Sequence, residues 1–200
     1  MRPSLPVINK IKGVTLVEAL IVVSTLSVLM AGLFYALNAG QSSWSFNAAQ
    51  AEVQSEVRRA ADWITNDVRE ARRVDIGSGS NNPTSTHIGF KKVTGYDTSG
   101  GGQAILSSNI YEYTYDPGLK TITRTDSGKP GQSWIFHYIT EAPFYTNNGG
   151  SIIIIDPVSP NPNSPVYQTG NLVIKLSGQK EVRSGLNAVY ALTEEVYIRN

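Results

Sequence analysis

Glu18 is a carboxylate at the head of an apolar run, in the stretch KGVTLVEALIVVSTLSVLMAG at 12–32. A charge at the centre of a membrane helix costs about 2.5–3.5 kcal/mol on insertion scales, so a run that keeps one needs a use for it. Lys12-Gly13 suggest the use. A cut after Gly13 would make Val14 a new amino terminus and Glu18 its fifth residue. On a helix the two would share one face, roughly 6 Å apart along the axis. Amine and carboxylate would meet at the membrane boundary, and Glu18 of one chain could take the amine of the next. Opposite unit charges about 4 Å apart attract by about 4 kcal/mol at an effective dielectric near 20, comparable to the insertion cost. An isolated chain would carry a poorly paired charge that assembly satisfies.

The remaining reactive side chains form no catalytic pattern. The two histidines, His87 and His137, lie 50 positions apart, without the helical spacing of a metal pair. There is no nucleophile elbow and no phosphate-binding loop. The turn SGGGQ at 99–103 reads as a flexible connection before it reads as a phosphate nest. Asp156, Asn161 and Asn163 offer hard oxygen ligands suited to calcium, but their spacing matches no dedicated loop, and the four prolines nearby read as stiffening. Tyr111, Tyr113 and Tyr115 alternate, so on a strand they share one face; sheet packing is the first reading and an exposed partner surface the second. Cysteine is absent, which excludes disulfides, thiol nucleophiles and cysteine metal sites. The chain is expected to be no enzyme and to need no cofactor and no metal.

Two kinds of element must carry these residues. Proline occurs at Pro3 and Pro6 and then not before Pro83; since it costs about 3 kcal/mol inside a helix, the proline-free stretch is free to be helical and the rest reads as strands and turns. Ala19 to Leu37 gives 19 residues without a charge, close to the roughly 20 that span a bilayer core. Arg2, Lys10 and Lys12 precede it with no acid among the first 13 residues, so the amino terminus is expected to stay cytoplasmic and the rest to be exported. A secretory signal peptide or plain signal anchor is the simpler alternative. The run is longer than a signal core, and neither alternative explains Glu18.

Beyond Leu37 the apolar residues step by three or four through Phe46, Ala49, Val53, Val57, Ala60, Ile64, Val68 and Ala71, a stripe for packing on a domain. Unbroken, residues 15–73 would make a helix about 90 Å long. Tyr35 and Trp44 suit the outer membrane interface. Arg58, Arg59, Arg69, Arg72 and Arg73 interleave with Asp62, Asp67 and Glu70, as on a solvated, salt-bridged face. With a net charge of +1 for the chain, direct nucleic-acid binding is not expected.

The loop IGSGSNNP at 76–83 is expected to end the helix. Strand-like runs follow at 86–93, 110–115, 119–125, 133–140, 151–155, 172–176 and 194–199. YEYTYDPGLKTITRT reads as a hairpin turning at Asp116-Pro117-Gly118. Ile152–Ile155 reads as a strand buried on both faces, and DPVSPNPNSPVYQTG as a surface excursion. The expected class is α+β: a long amino-terminal helix packed on an antiparallel sheet.

Gly13-Val14-Thr15-Leu16-Val17-Glu18 before an apolar run resembles the signature of the type IV prepilin family, which covers type IV pilins and the pseudopilins of type II secretion. The resemblance implies a pilin-like fold, cleavage between Gly13 and Val14 by a prepilin peptidase, N-methylation of Val14, and pairing of Glu18 with a neighbour's terminus. It divides the chain into a cytoplasmic leader at 1–13, a transmembrane and assembly helix at 14–38, an amphipathic half at 39–73 and a β-rich domain at 74–200. Val14 departs from the usual Phe or Met. Tyr35 stands where many major pilins have a kinking proline, which leans toward pseudopilins. Asp67-Val68-Arg69-Glu70-Ala71 and the ending Val196-Tyr197-Ile198-Arg199-Asn200 are similar to J-type minor pseudopilins. The expected role is a structural minor pseudopilin supporting protein secretion from the inner membrane, with its carboxy-terminal domain periplasmic or extracytoplasmic. Its expected partners are other pilin or pseudopilin subunits, the prepilin peptidase and an inner-membrane assembly platform. The alternatives are a minor pilin of a type IV pilus or competence apparatus, and a single-pass membrane-anchored binding or sensor domain.

Overall fold

The computed structural model describes residues 14–71, 84–99, 102–148, 151–154, 171–182 and 185–197. One helix, α1 (Leu16–Arg69), and eight strands make up its regular elements. The chain divides into two compact units, Met1–Trp44 and Ser45–Asn200, and α1 belongs to both.

In the first unit α1 buries none of its apolar side chains, from Leu16 to Leu37. Among the described residues it is the one helix long and apolar enough to cross a membrane. Its hydroxyl residues do not break that character, because each turns back onto the helix. Ser24 Oγ donates to the Ile21 carbonyl at 2.8 Å, Thr25 Oγ1 to the same carbonyl at 2.9 Å, and Ser27 Oγ to the Val23 carbonyl at 2.7 Å. A hydroxyl satisfied within its own helix can enter an apolar medium without an open hydrogen bond.

In the second unit the expected stripe is the buried face. Ala49, Val53, Val57, Ala60, Ala61, Ile64 and Val68 are all buried. They pack against two four-stranded antiparallel sheets rather than the single sheet expected. The first holds β1 (His87–Tyr96), β2 (Ala104–Asp116), β3 (Thr121–Asp126) and β4 (Ser133–Phe136), in the order β1-β2-β3-β4. The second holds β5 (Phe144–Asn148), β6 (Ser151–Ile154), β7 (Asn171–Glu181) and β8 (Asn187–Tyr197), in the order β6-β5-β7-β8. Ile88, Phe90, Tyr113 and Ile122 from the first and Leu172, Ile174, Leu176 and Ala188 from the second join the helix stripe in one core.

The hairpin at Asp116-Pro117-Gly118 forms as β2–β3, with Asp116 Oδ1 accepting from the Gly118 and Leu119 amides at 2.8 and 3.0 Å. Lys120 closes that turn with a positive φ of 53°. The expected strand at 133–140 stops at Phe136, because Tyr138 takes a φ of 68° and turns the chain toward the second sheet. There Gln179 N–H donates to the Tyr138 carbonyl at 2.8 Å and Ile139 bridges Gly178. α1 ends at Arg69, short of the expected residue 73, and Ala71 bridges Lys92 of β1. Ile152–Ile154 form part of β6, while Ile155, the loop at 76–83 and the excursion at 156–170 lie outside the described residues.

Candidate functional site

The amino-terminal site is built by two residues, Thr15 and Glu18. Thr15 precedes the first helical residue, Leu16, and Glu18 lies in the first turn. Thr15 Oγ1 accepts from the Glu18 amide at 3.3 Å. In return Glu18 Oε2 accepts from the Thr15 amide at 3.1 Å and from its hydroxyl at 3.1 Å. This reciprocal arrangement is a capping box, which satisfies helix donors that have no intrahelical partner. The carboxylate also lies at the positive end of the helix dipole.

In the uncut chain Val14 lies outside the helix, which starts at Leu16. In this single chain the Glu18 carboxylate accepts from two neutral donors, the Thr15 amide and hydroxyl. The spacing Thr-x-x-Glu before an apolar run is itself a sequence signal for this cap, legible in Thr15-Leu16-Val17-Glu18. Gly13 lies outside the described residues.

A second polar centre escaped the sequence reading. Asp67 was expected on a solvated face, yet it is buried. Its Oδ1 accepts from Lys92 Nζ at 2.6 Å, and its Oδ2 from the Tyr113 hydroxyl at 2.6 Å and Arg124 Nε at 2.7 Å. Lys92 also pairs with Glu70 at 2.7 Å. The Arg124 guanidinium lies 4.8 Å from the ring centroids of both Trp63 and Trp134 and 5.2 Å from that of Tyr111. Burial alone would push the Asp67 carboxyl up, but the hydrogen bonds from Arg124, Lys92 and Tyr113 outweigh it and hold the group below the usual carboxylate range. Burial and the adjacent Asp67 charge push the Tyr113 hydroxyl up. Both Asp67 oxygens are taken by three donors, so the cluster fixes α1 to β1, β2 and β3. The signal available beforehand was position: Asp67 stands three residues after Ile64 and one before Val68, on the edge of the buried stripe.

The other candidates resolve individually. Tyr113 and Tyr115 are buried and Tyr111 half-buried, as sheet packing requires. Arg58 Nε donates to the Tyr190 hydroxyl at 3.2 Å, and Arg59 pairs with Glu56 at 2.8 Å while lying over Phe136. Arg69 closes α1, and Arg72 and Arg73 lie outside the described residues. His87 on β1 shares Nδ1 with Thr114 Oγ1 at 3.0 Å, while its buried Nε2 has no hydrogen-bond partner among the described residues. His137 follows β4, and its amide donates to Glu56 Oε2 at 3.2 Å. Among the described residues no group of three or more side chains could hold a metal. Asp156, Asn161 and Asn163 lie outside them. Beside the turn at 99–103, Asp97 Oδ1 accepts from the Ser99 amide at 2.8 Å, and Gly100 and Gly101 lie outside the described residues. Tyr35 and Trp44 are each 78% exposed.

Comparison with protein-family models, curated proteins and solved structures returns no match.

Proposed function

We propose that this chain is a structural, membrane-anchored filament subunit of the prepilin class: a minor pseudopilin of a type II secretion pseudopilus, most like its J-type member. The observation that carries the reading is Glu18, five residues after Gly13 and held at the first turn of a helix whose following apolar run is unburied. The uninterrupted course of α1 through Tyr35, where many pilins place a proline, supports the pseudopilin side of the family.

On this reading a prepilin peptidase removes residues 1–13 and Val14 is N-methylated. The apolar half of α1 anchors the chain in the inner membrane, with the pilin-like domain on the far side. The capping box keeps the Glu18 carboxylate occupied until a neighbouring subunit presents its Val14 amine. The exchange then replaces a bond to a hydroxyl and an amide with a pairing of opposite charges, which is the stronger interaction in a medium of low dielectric. Other pilin or pseudopilin subunits and an inner-membrane assembly platform are the partners. The chain performs no catalysis and uses no cofactor.

Intact mass of the membrane-purified protein tests this. It should lack residues 1–13 and carry about 14 Da extra for one methyl group on the amine. A mature chain starting near residue 40 would overturn it in favour of a signal peptide.

A further inference from the structure

α1 carries no charged residue from Ala19 to Ala51, a run of 33 positions, or about 50 Å of helix. A bilayer core is about 30 Å thick, and about 40–45 Å with its headgroup layers. The charge-free run is therefore longer than a core-spanning segment needs. Ala19–Leu37 matches the core, and from Asn38 to Ala51 the composition changes to Asn, Gln, Ser, Gly and Ala around two aromatics, Trp44 and Phe46.

The fold accounts for Phe46, which is half-buried against the core. It leaves Trp44 uncovered. That side chain is 78% exposed, is the last residue of the first unit, and has no stacking or cation partner among the described residues. Its Cα lies seven residues past Leu37, about 10 Å beyond the end of the apolar run. Helical side chains lean toward the amino terminus and cover the preceding turn. The indole therefore reaches back by roughly 5 Å, to the depth of the outer headgroups. An indole has an apolar body and one N–H donor, the combination that collects at that depth.

We infer that Trp44 docks in the outer lipid headgroup layer and sets the depth at which α1 rests in the bilayer. The inference rests on the membrane-anchored reading above. Tyr35, nine residues earlier and on the opposite side of the helix, falls near the outer end of the core.

The full chain reconstituted in phosphatidylcholine vesicles provides the test. It contains no cysteine, so single cysteines at Gly40, Ser43 and Asn47 report where a membrane-impermeant maleimide gains access. Gly40 should be protected and Asn47 labelled. Trp44→Ser should move that boundary by about one helical turn, ~4 residues, so that Gly40 becomes accessible. Trp44→Tyr should leave the boundary in place. The emission lost in Trp44→Phe should be blue-shifted relative to water, and quenched more strongly by lipids brominated near the headgroup than by those brominated near the chain end. Water-like, unquenched Trp44 emission in a chain that resists carbonate extraction would overturn the docking while leaving the anchor intact. So would an unmoved labelling boundary in Trp44→Ser. Release of the chain by carbonate would overturn the anchor and the docking together.

Discussion

Two acidic residues on one helix show how position sets the task of a carboxylate. Glu18 is exposed and, among the described residues, is bound by Thr15 through contacts a stronger partner can displace. Glu18→Val should insert as well as wild type, because apolar substitution favours insertion, but should join co-expressed partner subunits poorly. Glu18→Asp should be intermediate, keeping the charge with a shorter reach. Crosslinking at equal membrane abundance and equal cleavage measures this, and equal incorporation of Glu18→Val would sink the pairing. Asp67, in contrast, is enclosed, and its removal strands Arg124, while Lys92 keeps its pair with Glu70. Breaking a buried pair from one side costs about 3–5 kcal/mol, so Asp67→Ala should lower unfolding stability by about that much in denaturant titration. Asp67→Leu with Arg124→Met should recover much of the loss, because no buried charge is then left alone. The pH dependence follows from the same cluster. A carboxyl held below its unfolded value contributes stability that is fully present above pH about 4 and lost as pH falls through the folded pKa. Lys92 is held above its ordinary value: burial lowers it, but Asp67 and Glu70 outweigh that. Its contribution is full below pH about 10.4 and lost as pH rises through the folded pKa. Wild type should therefore lose stability at both extremes, and Asp67→Ala should flatten the acid limb. An unchanged acid limb would contradict the assignment.

At the scale of elements, the helix and the second sheet approach closely at Gly178 on β7. A Cβ added there would stand 2.5 Å from Val57 Cγ2 and 2.9 Å from Val53 Cγ1. Glycine inside a strand often marks such an approach. Gly178→Ala should cost about 1–3 kcal/mol through overpacking, seen as a lower melting temperature. Enlarging an open glycine such as Gly40, where nothing lies within 4 Å, should leave the second unit's melting unchanged. The same junction explains why a single sheet was expected and two were found. Ser133–Thr140 has the composition of one continuous strand, yet Tyr138 adopts a left-handed φ and the chain crosses to the second sheet. A tyrosine gives no local signal for that conformation. The Tyr138 hydroxyl donates to Glu52 Oε1 at 2.6 Å, and Lys180 Nζ lies 4.9 Å from its ring centroid, so contacts distant in sequence hold the residue where local preference would not.

For the whole molecule, every buried apolar residue among those described lies in the unit Ser45–Asn200, so a fragment covering residues 40–200 should fold without the apolar half of α1. Circular dichroism should show mixed helix and strand with one cooperative thermal transition, and a fragment without one would contradict the division. By itself the sequence determined whatever follows from local composition and period. The uncharged run, the apolar stripe, the Asp116 hairpin and the Thr15–Glu18 cap each depend on residues a few positions apart, and helix and turn geometry converts that spacing directly into a face or a bond. Tertiary structure decided what depends on partners far along the chain: the split into two sheets, the extra strand β5, the turn at Tyr138 and the burial of Asp67. Asp67 shows why. Its helix carries charges on every side of the stripe, and whether an aspartate there meets water or an arginine depends on Lys92, Tyr113 and Arg124, which only the packed sheet brings to it.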